Sequence, residues 1–587
     1  MTRIEKIAFF SLATLVWIYL GLRSVYIPLI HDETVTYFAY IQSATFIPPW
    51  SYWDANNHFL NSAIGALTHL LFGHSPFITR LGSWVSFLPL VFFVYQLSHL
   101  FKSKLSQWAF IIPLLTTPFF IEFFSLTRGY GMAMSWFLGT IFYAIQFTES
   151  SSPRSYFKLS IVGILTSLSS LSVISSVFIV YGWILLFQIY QHKKLVWTSI
   201  TKWFGYLILP QLPLVYYVFQ LKERGLLYYG GDELIKYSLQ PFARFFFNNS
   251  TLWWIVAIVF SLVITIQFVQ FVKGGIARVF QPIRIFSFVL ILAVAAIFLQ
   301  HFLLGVNYPE DRAALYLFPL LIGSWISVPF KKYFKLIWFL PLIYFPSDLL
   351  TSANIEYSKL WPHEHVPNRF WEKTNALKTD FPVTLSTYFL RHGIWNYQSL
   401  DKGYSSNPNI AEYPSKWADV LMVDSIRIKK VDLSLYKKLD YDYISGQTLL
   451  KRSPKLVEIV VTDTTINELV VQHMYSNIWE FNSQSWAGDA MALYFEFQLE
   501  TTAPIIHLNL ITSVFDSAGN EVYHADYDLG KASEHWNTQG VWRIKQFLPP
   551  LPKNSGRFVT YIYNPKGEKH MLRNTKVSLA KISEPIK

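Results

Sequence analysis

Four polar stretches in an otherwise apolar chain hold the residues that could do chemistry: His31-Asp32-Glu33, Trp53-Asp54-Ala55-Asn56-Asn57-His58, Thr127-Arg128-Gly129-Tyr130 and Tyr308-Pro309-Glu310-Asp311-Arg312, with Tyr316 a turn later. Together they supply carboxylates for base catalysis, and arginines and histidines for an anion. That inventory suits displacement of a phosphate from a sugar. An acceptor hydroxyl must lose a proton to a carboxylate, and the departing phosphate must meet cations. Each stretch also has a plainer reading. Asp32 could cap an amphipathic helix that runs on through Val35, Phe38, Ala39 and Gln42. Arg128 and Arg312 could snorkel to lipid headgroups, and His31 and His58 could be ordinary interfacial residues.

The chain that must position these groups has 587 residues, 52% hydrophobic and only 15% charged. An average soluble domain carries about 25% charged residues, so this is the composition of a multi-pass membrane protein with a soluble part. Fifty Phe, 35 Tyr and 21 Trp suit apolar spans with aromatic belts. The formal charge of +12 falls largely in short loops between apolar runs, as a positive-inside topology requires. That distribution argues against nucleic acid as a partner. With no cysteine, disulfides and thiolate-bound metals are excluded. MTRIEK leads into an apolar run without a small-residue cleavage site, which reads as a retained first helix.

Roughly eleven spans are expected from apolar run length. The first runs from about Ile7 to Ile30, so the Asp32-Glu33 pair follows it directly. Residues 31–80 form a long outer loop whose stretch Phe59–Phe72 is short enough to lie at the interface. Spans two to four cover about Leu81–Leu100, Trp108–Phe124 and Tyr130–Phe147. The run Leu159–Tyr190 is too long for one crossing and divides near the serine-rich Ser167–Ser176. The seventh span ends near Gln220, the eighth covers about Leu252–Val272, the ninth ends near Leu304, the tenth near Pro329 and the eleventh near Pro346. Lysines and arginines cluster after the even-numbered spans: Lys102 and Lys104, Arg154 and Lys158, Lys193 and Lys194, Lys273 and Arg278, Lys331, Lys332 and Lys335. This places the N-terminus inside, and the loops 31–80, 221–250 and Asn307–Arg312 outside with the C-terminal region.

Three domains are expected: 1–350 in the membrane, a small α/β module at 351–455, and a β-sandwich of jelly-roll type at 456–587. Tyr494–Glu500 alternates Phe495, Phe497 and Leu499 with Glu496, Gln498 and Glu500, the period of a half-buried strand. DSAGN at 516–520 and NPKG at 564–567 are turn signals.

The order of these motifs carries a resemblance. Residues 1–350 resemble the GT-C glycosyltransferases, in particular the protein O-mannosyltransferase and aminoarabinose-transferase-like group, which uses polyprenyl-phosphate sugars. A D-E-A-x-Y-A pattern after the first span corresponds to Asp32-Glu33-Thr34-Val35-Thr36-Tyr37. R-L-P-S-x-L corresponds to Arg80-Leu81-Gly82-Ser83-Trp84-Val85, with glycine in the proline's place. A-R-x-Y corresponds to Thr127-Arg128-Gly129-Tyr130, with threonine for alanine. R-Y-x-L-P corresponds more loosely to Arg312 through Pro319. The DANNH form of the first loop is similar to that of a bacterial subgroup.

The resemblance implies a bacterial inner-membrane enzyme with a periplasmic C-terminal region. It would move a sugar, with inversion, from a polyprenyl-phosphate donor to an acceptor hydroxyl of a glycan, lipid or protein. Asp32 would be the general base and Glu33 its support. Arg128, Tyr130 and Arg312 would contact the lipid phosphate. Asp54, Asn57, His58 and Tyr229 would serve the substrate loops, with Gly230-Gly231 permitting a swing over the donor. No cofactor is required, although Glu33, Asp54 and His58 are the residues that would hold a divalent metal if one were used. Two rival readings are a transporter or flippase for lipid-linked sugars and a non-catalytic component of envelope glycan assembly. The gathering of polar clusters on one side, without internal repeats, favours the enzyme over a transporter.

Overall fold

The computed structural model describes residues 1–194, 196–227, 229–247, 249–328, 337–377, 380–387, 389–402, 406–410, 415–453, 455–501, 508–529 and 541–584. Tyr228, Pro329 and the expected inner-side residues Lys331, Lys332 and Lys335 lie outside them. The chain divides into two compact units: Met1–Ile27 with Ala39–Leu360, and Pro28–Phe38 with Trp361–Lys587.

The first unit is helical. Among the described residues, six of its helices are long and apolar enough to cross a membrane: Arg3–Tyr26, Pro76–Ser98, Leu171–His192, Trp197–Glu223, Ser250–Val279 and Pro282–Leu304. The other stretches expected to cross also hold helices, but these are shorter or less apolar. They are Lys104–Thr116, Gly129–Glu149, Pro153–Ser169, Leu317–Ile326 and Phe339–Ser352. Phe59–Phe72 is a separate 14-residue helix, as its length suggested.

Local chemistry sets the helix ends. Thr2 and Glu5 form a reciprocal capping box at the start of Arg3–Tyr26. The chain breaks at Thr117-Pro118, where proline lacks the N–H a continuing helix would need. It breaks again at Ser170, which is extended (φ −158°, ψ 124°) inside the serine-rich stretch where a division was expected. There the Thr166 and Ser169 hydroxyls donate to the carbonyls of Val162 and Leu165, the back-bonding that weakens a helix.

Buried arginines in this unit are held by hydrogen-bond acceptors. Arg23 donates to Glu122 at 2.9 Å, and Glu122 also accepts from Ser358 Oγ and Lys359 N. Arg80, fully buried, donates to the Ile27 and Ser24 carbonyls at 2.6 and 3.3 Å. It thereby satisfies acceptors left over at the end of the first helix.

The second unit contains two sheets' worth of sandwich and a smaller mixed sheet. Strands β1 (Val383–Thr387), β2 (Ser406–Ile410), β3 (Val420–Val423), β4 (Tyr436–Tyr441) and β5 (Thr448–Arg452) are ordered β2-β1-β3-β5-β4. The first three run parallel and the last two pairings are antiparallel. Phe370, Trp371, Ile394 and Trp395, from the helices Asn368–Asn375 and Phe389–Lys402, close one face over Val383, Leu385, Val420 and Met422.

Strands β6 (Val457–Val471), β7 (Tyr475–Asn482), β8 (Ala490–Thr501), β9 (Asn509–Asp516), β10 (Glu521–Asp528), β11 (Val541–Leu548), β12 (Ser555–Tyr563) and β13 (His570–Ser583) form two antiparallel sheets, β11-β8-β13-β6 and β10-β9-β12-β7. Phe495, Phe497, Leu510, Val514, Trp542, Phe558 and Val577 meet in one core between them, so the alternation read at Tyr494–Glu500 has its physical cause. Both turn signals fall between strands. Asp516 Oδ1 accepts the N–H groups of Ala518 and Asn520, with Gly519 at φ +86°. Gly567, at φ +65°, donates its N–H to the Asn564 carbonyl.

Candidate functional site

A cavity of about 550 Å³ opens in the helical unit. One part of its wall is apolar, built by Phe178, Val215, Val218, Phe219, Ile297 and Leu304. The other part is polar: Asn56 and His58, Tyr130, Ser170 and Ser172, Lys222 and Tyr229, and Glu310-Asp311-Arg312 with Tyr316. The cavity is therefore amphipathic, with cations at one side and hydrocarbon at the other.

Two helix starts border it. Gly129–Glu149 begins beside Tyr130, and Ile174–His192 follows the extended Ser170, while the short 3-10 turn Asp311–Ala314 leads toward Leu317–Ile326. A helix start carries N–H groups without intrahelical partners and the positive end of the peptide dipoles, so it favours an anion. Glycine at 129 allows the first of these to form. A Cβ there would stand 1.9 Å from the Ser169 carbonyl oxygen and 2.8 Å from His58. The same approach places His58 Nδ1 2.8 Å from that carbonyl, so Nδ1 carries the hydrogen. The His58 ring meets Tyr130 edge-on at 4.6 Å.

The loop 305–312 is fastened from outside. Tyr308 N–H donates to the Gly231 carbonyl at 2.9 Å in a β-bridge, and Ser238 Oγ donates to the Pro309 carbonyl at 2.7 Å. Gly230 has φ +86°, and a Cβ there would stand 2.1 Å from the Tyr308 oxygen. The Gly-Gly pair thus serves a close backbone contact, where the sequence had suggested freedom to swing. Gly230→Ala should therefore displace the loop 305–312 and lower the melting temperature. Gly225→Ala, at φ +69° with nothing within 4 Å of its Cβ, should cost only the backbone strain of about 1–2 kcal/mol. Equal melting in the two variants would remove the bridge from the argument.

Beyond the bridge, Asp311 adopts φ +35°, uncommon for a residue with a side chain. Its carboxylate accepts the Arg312 N–H and lies 3.8 Å from the Arg312 guanidinium. Partial desolvation and the neighbouring Asp311 push the Glu310 carboxyl above its usual range, against the pull of Arg312 and Arg244.

The residues singled out in the sequence have separate fates. His58, Tyr130, Tyr229 and Arg312 line the cavity together. Arg128 does not line it. It is fully buried, donates to Asn56 Oδ1, and lies 5.7 Å over the Tyr130 ring, so it holds two wall residues from behind. Asp54 orders its own loop: Oδ1 accepts the Asn56 N–H at 2.7 Å, and its carbonyl accepts from Tyr217 Oη. Asn57 ties that loop to the Phe46 carbonyl and to Ser62.

Asp32 and Glu33 belong to the second unit. There Pro28–Phe38 folds with 361–587, and Tyr37 packs edge-on against Tyr397 at 4.8 Å. The helix His31–Thr36 has Ile30 as its N-cap, not Asp32. Glu33, fully buried, turns back to accept the Ile30 N–H at 3.1 Å, and Glu364 accepts the His31 N–H at 2.7 Å. Asp32 is half-buried, in the first turn. The α-helix runs to Thr36 and continues directly as a π-helix, Tyr37–Ile41, so the expected helix forms through Val35, Phe38 and Ala39 and stops before Gln42.

Among the described residues no three His, Asp or Glu side chains gather as metal ligands would. Lys222, Asn56, Glu310 and Asp311 are among the wall residues that sequence reasoning left outside its site. Their signal was present, since each lies within a polar loop already singled out.

No family model matches the chain, and no curated protein matches it. Solved structures do. ArnT from Cupriavidus metallidurans, crystallised in the apo state, is 10% identical over 77% of this chain and 99% of its own, with a TM-score of 0.37. The oligosaccharyltransferase from Archaeoglobus fulgidus, tethered with an acceptor peptide, is 12% identical over 70% of this chain and 64% of its own, at 0.39. The arabinosyltransferase EmbB from Mycobacterium smegmatis is 10% identical over 98% of this chain and 64% of its own, at 0.36. Likeness at these scores carries no residue's role over to this chain.

Proposed function

We propose that the protein is a membrane glycosyltransferase that takes a sugar from a polyprenyl-phosphate donor and transfers it, with inversion, to an acceptor hydroxyl on the periplasmic side of a bacterial inner membrane. The observation that carries this reading is the amphipathic cavity. Its cations and helix starts suit a phosphate, and its apolar wall suits the first units of a prenyl chain. Lys222 and Arg312 contact the phosphate, with Tyr130, Tyr229 and His58 completing the polar wall. Arg128 holds Asn56 and Tyr130 in place. Asp32 takes the proton of the acceptor, and Glu33 fixes the turn that carries it. Direct attack by the acceptor, with no covalent enzyme intermediate, inverts the anomeric centre.

In this reading the eleven apolar stretches cross the membrane, the C-terminal region is periplasmic, and the sandwich is a jelly roll. Its first and last strands, β6 and β13, are neighbours in one sheet, which supports that topology. Topology is checked by cysteines at exposed positions. Tyr52, Asp232 and Ser517 should label from the periplasmic side, and Ser103 should not. Asp232 and Ser517 labelling from opposite faces would break the order of crossings.

The activity is tested with purified protein and a panel of polyprenyl-phosphate sugars, with nucleotide sugars as control donors. Deletion-strain lipids, in which an unused donor or acceptor accumulates, narrow the panel. Transfer from a lipid donor, unchanged in EDTA, is the expected result. Transfer from nucleotide sugars alone would overturn the donor assignment, and loss in EDTA would restore a divalent metal to the site.

A further inference from the structure

Transfer from a prenyl-phosphate donor changes the charge of the cavity. The donor's phosphate is a diester with one negative charge. When the bond between the anomeric carbon and the phosphate oxygen breaks, the electron pair leaves with the phosphate, which becomes a monoester with two charges. In a partly desolvated pocket a second charge is costly. The cations on the wall, Lys222 and Arg312, were already met by the first charge.

One wall residue is placed to remove the second. Glu310 sits between Pro309, whose carbonyl is held by Ser238, and Asp311 with its strained φ of +35°. Its side chain is accessible from the cavity it lines. The groups that bear on it are Asp311, Arg312 and Arg244, with Lys222 and His58 on the same wall. A second carboxylate at the next residue disfavours ionisation of both. A carboxylate facing an anion site would repel the substrate, whereas a carboxylic acid would donate a hydrogen bond to it.

Resting on the reading of this cavity as a lipid-phosphate site, we propose that Glu310 enters the reaction protonated and gives its proton to the departing phosphate. The acceptor oxygen forms its bond to the anomeric carbon and loses its proton to the base that activates it. The anomeric carbon–oxygen bond breaks, the phosphate takes the Glu310 proton, and the product leaves as a singly charged monoester. Water then returns a proton to Glu310 and takes one from that base. The upward displacement of the Glu310 carboxyl agrees with this role.

The test needs neither the sugar nor the acceptor. Two probes are titrated into the purified full-length protein from about pH 4.5 to about pH 8, a range that spans a raised carboxyl and a histidine. The first is farnesyl methyl phosphate, a diester of fixed charge. Wild-type affinity should fall about tenfold or more as Glu310 ionises, Glu310→Gln should remove that fall, and His58→Gln should leave it. The second is farnesyl phosphate, followed by the phosphorus chemical shift of the bound monoester. Wild type should hold the phosphate proton to higher pH than Glu310→Gln does. A fall that persists in Glu310→Gln, or binding of the diester that is flat with pH in wild type, would overturn the proposal. So would identical phosphorus titrations in the two proteins. Failure of both probes to bind at any pH would instead overturn the reading of the cavity itself. Glu310→Gln is close to isosteric, and its melting temperature checks the fold.

Discussion

Asp32→Asn should lower turnover by at least about 100-fold while leaving the protein folded, inserted and able to bind a prenyl-phosphate sugar. An acceptor hydroxyl is a poor nucleophile until its proton can leave, and a positioned base typically contributes about 10²–10⁴-fold. Asparagine keeps the shape and loses the basicity. The structure makes this substitution a cleaner probe than the sequence alone allowed. The capping duty in His31–Thr36 belongs to Glu33, whose carboxylate accepts the Ile30 N–H, and the N-cap position belongs to Ile30. Asp32 is therefore not the residue that caps this helix, and the melting temperature of the variant checks the fold.

Glu33 should behave differently. Glu33→Ala leaves the buried Ile30 N–H without its acceptor, a loss of about 1–3 kcal/mol, and Glu33→Gln restores an acceptor oxygen. If Glu33 only fixes the turn, Gln should recover most of the turnover and Ala should not. Wild-type rates for Asp32→Asn would remove Asp32 as the base. Equal losses in Glu33→Gln and Asp32→Asn would give Glu33 a part in the chemistry.

What was legible in the sequence followed from periodicity and from residues with one physical use. The break at Ser170 was visible because an apolar run too long for one crossing contained a cluster of side chains that compete for backbone carbonyls. The sandwich strand at Phe495 and Phe497 was visible because a sheet with one buried face must alternate. The turns at Gly519 and Gly567 were visible because glycine adopts positive φ without steric cost. Helix ends inside apolar runs were less so. Lys104–Thr116 and Pro118–Glu122 read as one span because hydropathy does not register a single proline. The polar wall was partly legible, since its loops could be found as interruptions of apolarity. Which members of each loop face the cavity was not, because that depends on approaches between distant segments. Arg128 and Arg312 look alike in sequence, yet one is sealed behind Asn56 and the other lines the wall. The Gly230-Gly231 pair read as a hinge because a glycine's freedom is a local property. Its contact with Tyr308 lies some distance along the chain and leaves no local mark. Nor did anything in Pro28–Phe38 announce that it would pack with residues after Trp361. Its partners there, Tyr397 and Gly393 among them, are ordinary residues of an amphipathic helix.

Those separate fates of the arginines lead to the second large effect. Arg312→Ala should weaken binding of a prenyl phosphate by about 10- to 100-fold, the worth of a charge-assisted contact of about 1.5–3 kcal/mol, with little change in melting temperature. Arg312 lines the cavity and is partly exposed, so its guanidinium faces the space a phosphate would occupy, with the Asp311 carboxylate 3.8 Å away. Arg80→Ala should do the reverse. It removes a fully buried guanidinium from the Ile27 and Ser24 carbonyls, so the melting temperature should fall while the affinity of the protein that remains folded stays close to wild type. Arg128→Ala should show both losses. The guanidinium is buried, so the fold suffers, and Asn56 and Tyr130 are released from their places in the wall. Arg128→Lys should recover part of the stability, yet a lysine cannot grip Asn56 and cover the Tyr130 ring as a planar guanidinium does, so binding should stay impaired. Binding of farnesyl phosphate and thermal melting, measured together on the variants, separate these cases. Equal, small changes in binding for Arg312→Ala and Arg80→Ala would leave Arg312 as a surface anchor and take the phosphate away from this wall.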